Sequence, residues 1–484
     1  MGVLFFLLSA SLASPTDFYG FGGQSIGQGG GGVASISGSA AAFLNPAGLT
    51  GLNRPEVLYG AGIVRFQTPE MPSLYWDTNR DGTVNEFDEG LNYDATPDSA
   101  DGAMLAFSAP VTDRVDIGAG LFLPIAHITR FQTFDPELPN YFMLENRLHR
   151  YAMAFGGGIK LPKGFSIGAG GRFLVRAPLA IHFTIDAKLS AEEASNGAGD
   201  FVGAEIDVHT IDLRLEADMV PTFGFQWDLG EVSETLRGIR LGGVVRGEAS
   251  MAIDVIMDGQ INAALVDAGE LSSTTLALIY YSKVQVLDHY LPAQAQGGLA
   301  YSPHPAVNLH VDVQATNWAA MELNIAQIED TIIEASLADI ATSEIVDGNP
   351  LDVSFRNTLS VRTGLEMHLP EWQLGSLLGR VQLIPRAGFA YIPSPLDSQS
   401  SESALLDSDR LLLAAGLGFV HHTAVLGTER QFDWDLFGQV HTLAPGSLAR
   451  DSSGQALAGY PQTTPSLPIG GNVFVAGIQG RYQY

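Results

Sequence analysis

Cysteine is absent from the 484-residue chain, which excludes disulfides, thiolate metal sites and cysteine catalysis. Basic residues are scarce: 25 Lys and Arg stand against 53 Asp and Glu, for a formal net charge of −28. An anionic chain without a basic patch does not bind nucleic acid, because DNA and RNA are polyanions. No apolar run reaches the roughly 18 residues of a membrane-spanning helix.

Glycine and apolar residues are abundant, with 55 Gly and 46% hydrophobic residues. The chain opens with an apolar stretch from Val3 to Leu8 and then small residues up to Ser11-Leu12-Ala13. This pattern predicts a secretory signal peptide over residues 1–13, although Lys and Arg, the usual start of a signal, are missing before Arg54. An exported apolar chain without membrane helices favours β-sheet.

Apolar and polar residues alternate strictly in several long segments. Between Val307 and Thr316 one face is apolar and the other carries Asn308, His310, Asp312, Gln314 and Thr316. Residues 165–176 and 432–441 show the same two-residue period, which is typical of strands with two different faces. Gly and Arg recur on the polar face of these strands. That favours lipid on one side and a wet interior on the other.

Fourteen such strands are predicted. They lie near residues 55–66, 103–111, 115–126, 148–160, 165–176, 217–228, 238–250, 290–302, 307–317, 352–369, 380–392, 410–423, 431–443 and 471–484. Short connections such as 112–114 and 161–164 alternate with long ones such as 177–216 and 251–289. This asymmetry is typical of bacterial outer-membrane barrels. The sequence therefore predicts an all-β fold: a transmembrane antiparallel β-barrel of about 14 strands in the outer membrane.

The glycine-rich segment 20–52 contains formal matches to two enzyme motifs. Residues 23–27 fit a nucleophile elbow and residues 27–32 a dinucleotide fingerprint. Neither follows a strand of an α/β unit, the context that such a motif requires. We therefore expect no enzymatic activity.

The stretch AAAFLNPAGLTGL resembles the Asn-Pro-Ala signature of the FadL-type outer-membrane transporters, with Asn45, Pro46 and Ala47 in the signature positions. Segments 291–303, 311–318, 362–366, 385–395 and 410–419 resemble later strands of that family in the same order. The resemblance implies a hatch (residues 14–52) inside a barrel (53–484). It also implies passive uptake of hydrophobic compounds such as long-chain fatty acids, with a sideways exit into the membrane.

Two other functions fit the same scaffold: a general diffusion porin, or a calcium-stabilised surface binding or adhesion protein. A secreted soluble β-protein is a third alternative. The expected partners are a hydrophobic small molecule and the lipid and lipopolysaccharide of the outer membrane, around a monomeric barrel. The lumen is predicted to hold Arg172, Arg176, His310, Asp312, Asp433, Asp435 and Arg481, most of them paired with one another.

The first long connection, residues 67–102, contains a calcium-loop pattern. Oxygen ligands fall at the required spacing on Asp77, Asn79, Asp81, Thr83 and Asp88. Ca²⁺ takes six to eight oxygen ligands around a sharp turn, which Gly82 provides. A structural Ca²⁺ that rigidifies this loop is the expectation. A helix is predicted over 321–345, where Ile325, Ile328, Ile332, Ala335 and Ile340 form one stripe.

Overall fold

The fold is seen in a computed structural model, which describes most of the chain from Gly20 to the C-terminus. The described residues are 20–72, 74–76, 89–91, 94–125, 138–144, 151–176, 179–190, 201–213, 216–267, 270–321, 327–335, 353–373, 380–399, 403–425, 428–449, 461–462 and 466–484. The predicted signal peptide and the calcium-loop residues 77–88 lie outside them.

Fourteen antiparallel strands form a closed ring. In chain order they are β1 (Glu56–Gln67), β4 (Gly102–Pro110), β5 (Val115–Pro124), β6 (Ala152–Lys160), β7 (Phe165–Arg176), β10 (Glu216–Asp228), β11 (Ile239–Arg246), β14 (Gln294–His304), β15 (Val307–Thr316), β18 (Thr358–Met367), β20 (Arg380–Ile392), β22 (Arg410–Val425), β23 (Thr428–Ala449) and β25 (Ser466–Gln483). Each of these strands pairs with the next one named, and the last strand, β25, pairs with the first, β1, which closes the ring. Strand β18 pairs directly with β20. The two-residue strand β19 (Trp372–Gln373), which lies between them in the chain, pairs only with β20 among the described strands. The predicted barrel is confirmed, and each predicted strand overlaps an observed one.

The two faces of the strands are inverted relative to those of a soluble protein. On β15, Asn308, His310, Asp312, Gln314 and Thr316 are buried in the lumen, whereas Val311 on the outer face is 46% exposed. Strand β23 repeats this arrangement, with Asp433 and Asp435 buried beside the exposed Trp434. Near the short turns, outward aromatic rings include Tyr59, Trp227, Tyr301, Trp434 and Tyr484. Such an apolar surface with an aromatic border suits a lipid bilayer.

A segment without strands fills the part of the lumen nearer the short turns. It contains helix α1 (Gly23–Gly27), helix α2 (Ala41–Leu44) and a 3₁₀ helix (Pro46–Leu49). Almost all residues from Gly20 to Leu49 are buried. Residues 20–52 are called the hatch below.

Three long connections between ring strands contribute to a second sheet outside the ring. Its strands are β8 (Leu179–Ser190), β9 (Phe201–Leu213), β12 (Ala249–Asp267), β13 (Glu270–Leu291) and β16 (Gln327–Ala335), in the order β16-β13-β12-β8-β9. We call it the crown. Strand β12 follows β11, and β13 precedes β14, with only two residues between in each case.

The crown corrects the helix prediction for 321–345. Within that range, residues 327–335 form strand β16, which pairs with β13 from Leu278 to Gln285. The run Thr331-Ile332-Ile333 is β-branched, and such side chains suit a pleated sheet better than a helix. Pairing with a long neighbouring strand therefore outweighs the helical spacing of the isoleucines.

Short elements complete the described chain. They are β2 (Leu74–Trp76), β3 (Glu89–Leu91) and β24 (Pro461–Gln462) in one small sheet, β17 (Val353–Phe355) and β21 (Leu396–Gln399) in another, and 3₁₀ helices at Leu229–Glu231, Glu234–Leu236 and Trp318–Ala320. None of the helices in the described part of the chain is long and apolar enough to span a membrane.

A charge placed on the outer face tests the inverted surface. Leu436 on β23 is 46% exposed and sits between Leu417 and Ile478 on the neighbouring strands. We expect Leu436→Arg to lower the free energy of unfolding by about 1–3 kcal/mol, because the charge faces lipid between the aromatic border and the bilayer centre. Denaturant titration of the barrel in lipid vesicles measures this.

The control is Leu236→Arg in the turn at Glu234–Leu236, where the leucine is 36% exposed to water. This change should alter the free energy of unfolding by less than about 0.5 kcal/mol. Equal effects of the two substitutions would show that Leu436 does not face lipid.

Candidate transport pathway and hatch

Glycines in the wall let the hatch lie directly against the strands. A methyl group built on Gly168 of β7 would overlap the backbone at Pro46 and Ala47. One on Gly388 of β20 would overlap the backbone of Gln28. These lumen-facing glycines explain why the polar face of the strands is so rich in Gly, because backbone approaches this close leave no room for a Cβ.

Asn45 is fully buried and joins three parts of the molecule. Its Nδ2 donates to Val33 O within the hatch at 2.9 Å and to Phe225 O on β10 at 3.1 Å. Its Oδ1 accepts from Ala47 N at 3.2 Å and caps the 3₁₀ helix, in which Pro46 occupies the first turn. A methyl group on Gly224 would overlap this oxygen. The three signature residues therefore form one turn, clamped to the wall through a single carboxamide.

Wall side chains hold the hatch mainly by its backbone carbonyls. Arg172 Nη2 donates to Phe43 O at 2.8 Å, and Arg246 Nη2 donates to Leu44 O at 2.6 Å. Gln439 Nε2 donates to Ile26 O at 2.7 Å, and Arg362 Nη1 to Gly29 O at 3.2 Å. Two carboxylates bind hatch amides: Asp312 accepts from Gly32 N, and Glu56 from Ser39 N at 2.9 Å.

Beneath helix α1, buried charges form a network across three strands. Arg386 of β20 donates to Glu366 of β18 at 2.6 Å and to Asp435 of β23. Glu366 also accepts from Gln24 and Gln28 of the hatch at 3.2 and 3.3 Å. The carboxylates are thereby satisfied by an arginine and by the plug itself, as buried charges must be.

The predicted lumen residues whose side chains the structure describes lie inside the barrel. Asp433 pairs with Arg481 through Nε at 2.7 Å, and His310 Nε2 lies 3.9 Å from Asp312 Oδ2. The Arg176 side chain is outside the described set. Sequence reasoning missed Arg246, Arg362, Glu366 and Arg386, all of which face the lumen. Each of these residues alternates with apolar or outward-facing neighbours along its strand, and this two-residue period could have identified them as facing the lumen.

Away from the short turns, where Glu56 and Asp116 lie, the described lumen on the side of β1, β4, β5 and β6 is apolar. One continuous cluster of buried side chains runs from the hatch to the far end of β1, β4, β5, β6, β23 and β25. It includes Phe21, Ile26, Phe43, Leu49, Leu58, Val64, Met104, Ala106, Phe122, Ala154, Leu443, Val473 and Val475. In the hatch, the rings of Phe21 and Phe43 lie 4.2 Å apart. The interior is thus divided lengthwise into an apolar side and a polar side.

A strap formed by residues 138–144 covers the upper end of the apolar cluster. Asn140 bridges Leu405, and Tyr141 OH both donates to Gly470 O at 3.1 Å and accepts from Gly470 N at 3.3 Å. Burial raises the pKa of Tyr141 to about 12. Tyr141 and Leu144 belong to the apolar cluster, which therefore continues without a break from hatch to strap.

On the lipid side, a groove of about 560 Å³ lies over β4–β7. Leu105, Phe107 and Phe155 border it, and its floor includes Ala106, Gly120 and Ala154. A methyl group on Gly120 would meet the ring of Phe43 at 2.6 Å. Only the backbone and these small side chains separate the apolar part of the hatch from lipid here.

No cluster of three or more His, Asp or Glu side chains that could hold a metal ion occurs among the residues that the structure describes. The calcium-loop residues Asp77, Asn79, Asp81, Thr83 and Asp88 are not among them.

A closed antiparallel barrel with a lipid-facing outer surface and a plug inside its lumen defines an outer-membrane transport protein. The chain belongs to the outer membrane protein transport protein family (OMPP1/FadL/TodX), whose sequence profile matches residues 24–426. Members of this family are not enzymes, which agrees with the expectation from the sequence.

Solved structures are similar to this chain over nearly its whole length. A FadL homologue of Pseudomonas aeruginosa is 14% identical and aligns over 98% of this chain and 99% of its own, with a TM-score of 0.52. The toluene transporter TodX of P. putida is 13% identical over 97% and 99%, with a TM-score of 0.48. The toluene transporter TbuX of Ralstonia pickettii is 13% identical over 97% and 99%, at 0.45. No curated protein sequence matches significantly.

Replacing Asn45 by Asp tests the clamp with little change in volume. The substitution removes both donors and places a carboxylate against the carbonyls of Val33 and Phe225, which we expect to weaken hatch binding by about 3 kcal/mol. The barrel should still fold, but ion conductance in planar bilayers and protease cleavage within residues 20–52 should both increase.

Asn472→Asp is the matched control, because Asn472 Oδ1 accepts a bond from Thr442 Oγ1 at 3.0 Å that an aspartate can keep. Its conductance should equal that of the native chain. A closed, protease-resistant Asn45→Asp protein would show that this clamp is dispensable.

Proposed function

We propose that the protein mediates passive uptake of hydrophobic compounds such as long-chain fatty acids across the outer membrane. The main support for this proposal is the apolar cluster that joins the strap to the hatch on one side of the lumen. A water-filled pore offers a hydrocarbon chain no advantage, whereas a lining of Phe, Leu, Val and Met does. In this proposal the substrate enters at the strap and replaces packed side chains along the cluster.

We also propose a lateral exit at the groove over β4–β7. Its support is the thin floor at Gly120, with the Phe43 ring directly behind. The hydrogen bonds between β4, β5 and β6 are continuous there. Passage therefore requires local separation of strands when the hatch moves. Leaving sideways spares an apolar solute from the polar, charged floor of the lumen beneath the hatch.

A general porin is the weaker candidate because the hatch occupies the lumen and is bonded to the wall on many sides. Permeability to small sugars in liposomes separates the two functions. The native chain should admit them no faster than liposomes without protein.

Uptake of labelled oleate and labelled toluene, in cells that lack their own fatty-acid transporter, tests the function. With folded protein confirmed in the outer membrane, oleate uptake should rise at least about tenfold over cells without the protein. Ala106→Trp is the informative variant, since Ala106 is 2% exposed and belongs to the apolar cluster. An indole there should block the path and reduce uptake to the background level. If the native chain takes up neither oleate nor toluene, the proposal is overturned.

We further propose that residues 77–88 bind one Ca²⁺ that stiffens the first long connection without taking part in transport. The support is the spacing of oxygen ligands at Asp77, Asn79, Asp81 and Asp88 around Gly82.

Calorimetric titration of the purified protein with CaCl₂ tests this, with an expected dissociation constant of about 0.1–1 mM, as in extracellular modules. Asp81→Ala should abolish binding, while Asp113→Ala in the turn 111–114 should leave it unchanged. Oleate uptake should be insensitive to chelation. Native protein that takes up no Ca²⁺ would refute the site.

A further inference from the structure

We propose that His310 and Asp312 of β15 form a proton-operated gate: the hatch is closed while the pair holds no proton, and proton uptake at acid pH releases residues 28–32. We call these residues the glycine loop. The inference rests on the proposed transport function, to which it adds a regulation, although the gate itself opens and closes without any substrate. It also assigns a role to the glycine run that fits a dinucleotide fingerprint in the sequence.

The glycine loop is held by the neighbouring strands β15 and β18. Gly29 O accepts from Arg362 Nη1 at 3.2 Å, and Gly32 N donates to Asp312 Oδ2. From the first of these bonds to the second the chain is glycine only, and Gly29, Gly30 and Gly32 have positive φ angles of 81°, 78° and 102°. Glycine adopts such angles without strain and leaves them as easily. Loss of one bond can therefore rearrange this loop while the rest of the hatch stays in place.

The imidazole of His310 lies directly against the glycine loop. The residue is 2% exposed, and a methyl group built on Gly31 would lie 2.7 Å from its Nε2 and 2.6 Å from Asp312 Oδ2. On the other side, a methyl group on Gly364 of β18 would overlap the same ring. Because Gly31 lies against both members of the pair, a change in their bonding is passed on to the loop.

The pair is incompletely hydrogen-bonded in the closed hatch. His310 Nε2 lies 3.9 Å from Asp312 Oδ2, which is too far for a hydrogen bond. Neither ring nitrogen of His310 has a hydrogen-bond partner within the part of the chain that the structure describes, and the same is true of Asp312 Oδ1. Buried polar groups in this state cost free energy. The closed arrangement therefore stands to gain from any change that supplies these bonds.

Other charges act on the pair from β18. Arg362 is the register partner of Asp312, and Glu366 acts electrostatically on the His310 ring. Glu366 is itself bonded to Arg386 at 2.6 Å and to His368 at 3.1 Å. The neighbouring positions of β14 hold glycine and alanine, and the glycine loop carries no charge. These wall groups stay in place when the loop moves, so the two states of the gate differ in the bonds of the pair itself.

Proton uptake favours the released loop. An imidazolium has two N–H donors, and its bond to a carboxylate is about twice as strong as a bond between neutral groups. To form it, His310 Nε2 must approach Asp312 Oδ2, the atom that accepts from Gly32 N. Release also admits water to the second ring nitrogen, which is without an acceptor among the described residues of the closed hatch. The released state therefore binds the proton more tightly, and by linkage acid favours release.

The conductance of the native barrel in planar bilayers tests the gate at about pH 7.5, 6.5 and 5.5, on both sides of the range in which a hydrated imidazole titrates. We expect a closed barrel at the highest pH and a rise of up to about tenfold between the lower two values, the most that one proton supplies. His310→Gln takes up no proton and should keep the barrel closed throughout. The matched control is His304→Gln, because His304 is exposed at the short-turn end of β14 and should leave the pH response unchanged.

A thiol beside the glycine loop reports its release directly. The chain contains no cysteine, and Ser35, which is 9% exposed, donates from its backbone N to Gly32 O at 2.9 Å. Labelling of Ser35→Cys is compared at each pH with labelling of the same variant carrying His310→Gln, which cancels the pH dependence of thiol chemistry. The ratio of the two rates should be close to one at about pH 7.5 and rise to as much as about tenfold at pH 5.5.

Conductance and labelling that do not change with pH would overturn the gate, as would a pH response that His310→Gln retains. Oleate and toluene uptake at neutral pH separates this result from the transport function. Uptake by a protein with a pH-insensitive hatch would remove the gate and leave transport standing. A pH-dependent hatch in a protein that takes up neither compound would refute the transport function and leave the gate.

Discussion

A peptide group that faces hydrocarbon has no water to bond with, so every strand of this chain must find its partners in other strands. The closed ring satisfies that demand, since each barrel strand is bonded on both sides. A ring of 14 strands is too wide for wall side chains alone to fill. Residues 20–52 therefore fold inside the ring. Wall glycines such as Gly168 and Gly388 leave room for the hatch backbone, because a Cβ at either position would overlap it. One requirement, that backbone groups in hydrocarbon be hydrogen-bonded, thus leads to the closed ring. The ring in turn requires the plug and the glycine-rich wall against which the plug packs.

The hatch also determines how charge is arranged inside. Where it needs firm attachment, the wall supplies carboxamides, guanidinium groups and carboxylates that bind its backbone, and these occupy the polar side of the lumen. The other side, from β25 through β1 to β6, has its lumen charges Glu56, Asp116 and Arg481 near the short turns, and it contacts the hatch through Phe43 and Leu49. Beyond those charges, polar attachment and apolar passage lie on different sides of the barrel. They meet at the end of α2, where one residue, Phe43, contributes its ring to one side and its carbonyl to the other.

The strands were predictable because a membrane barrel imposes its alternation on each strand separately; Leu309 to Thr316 shows it without reference to any other segment. The hatch was reached through resemblance around Asn45. The crown was not predictable, because its strands pair with distant segments: β8 lies parallel to β12, some 70 residues further on, and 327–335 became a strand through β13. Nor does the sequence reveal which of the lumen arginines hold the hatch, because a strand pattern gives the face of a residue but not its partner across the lumen.

The crown has a consequence for what lies outside the cell. Strand β13 has 22 residues and β12 has 19. At roughly 3.3 Å per residue, the longer strand measures about 70 Å, more than twice the roughly 30 Å of a bilayer's hydrocarbon core. Both belong to the same hairpin and lead directly into the barrel strands β11 and β14, and on β14 the outward ring of Tyr301 lies near the opposite, short-turn end. A phage, an antibody or a neighbouring cell approaching this surface would therefore meet the crown before it met the barrel.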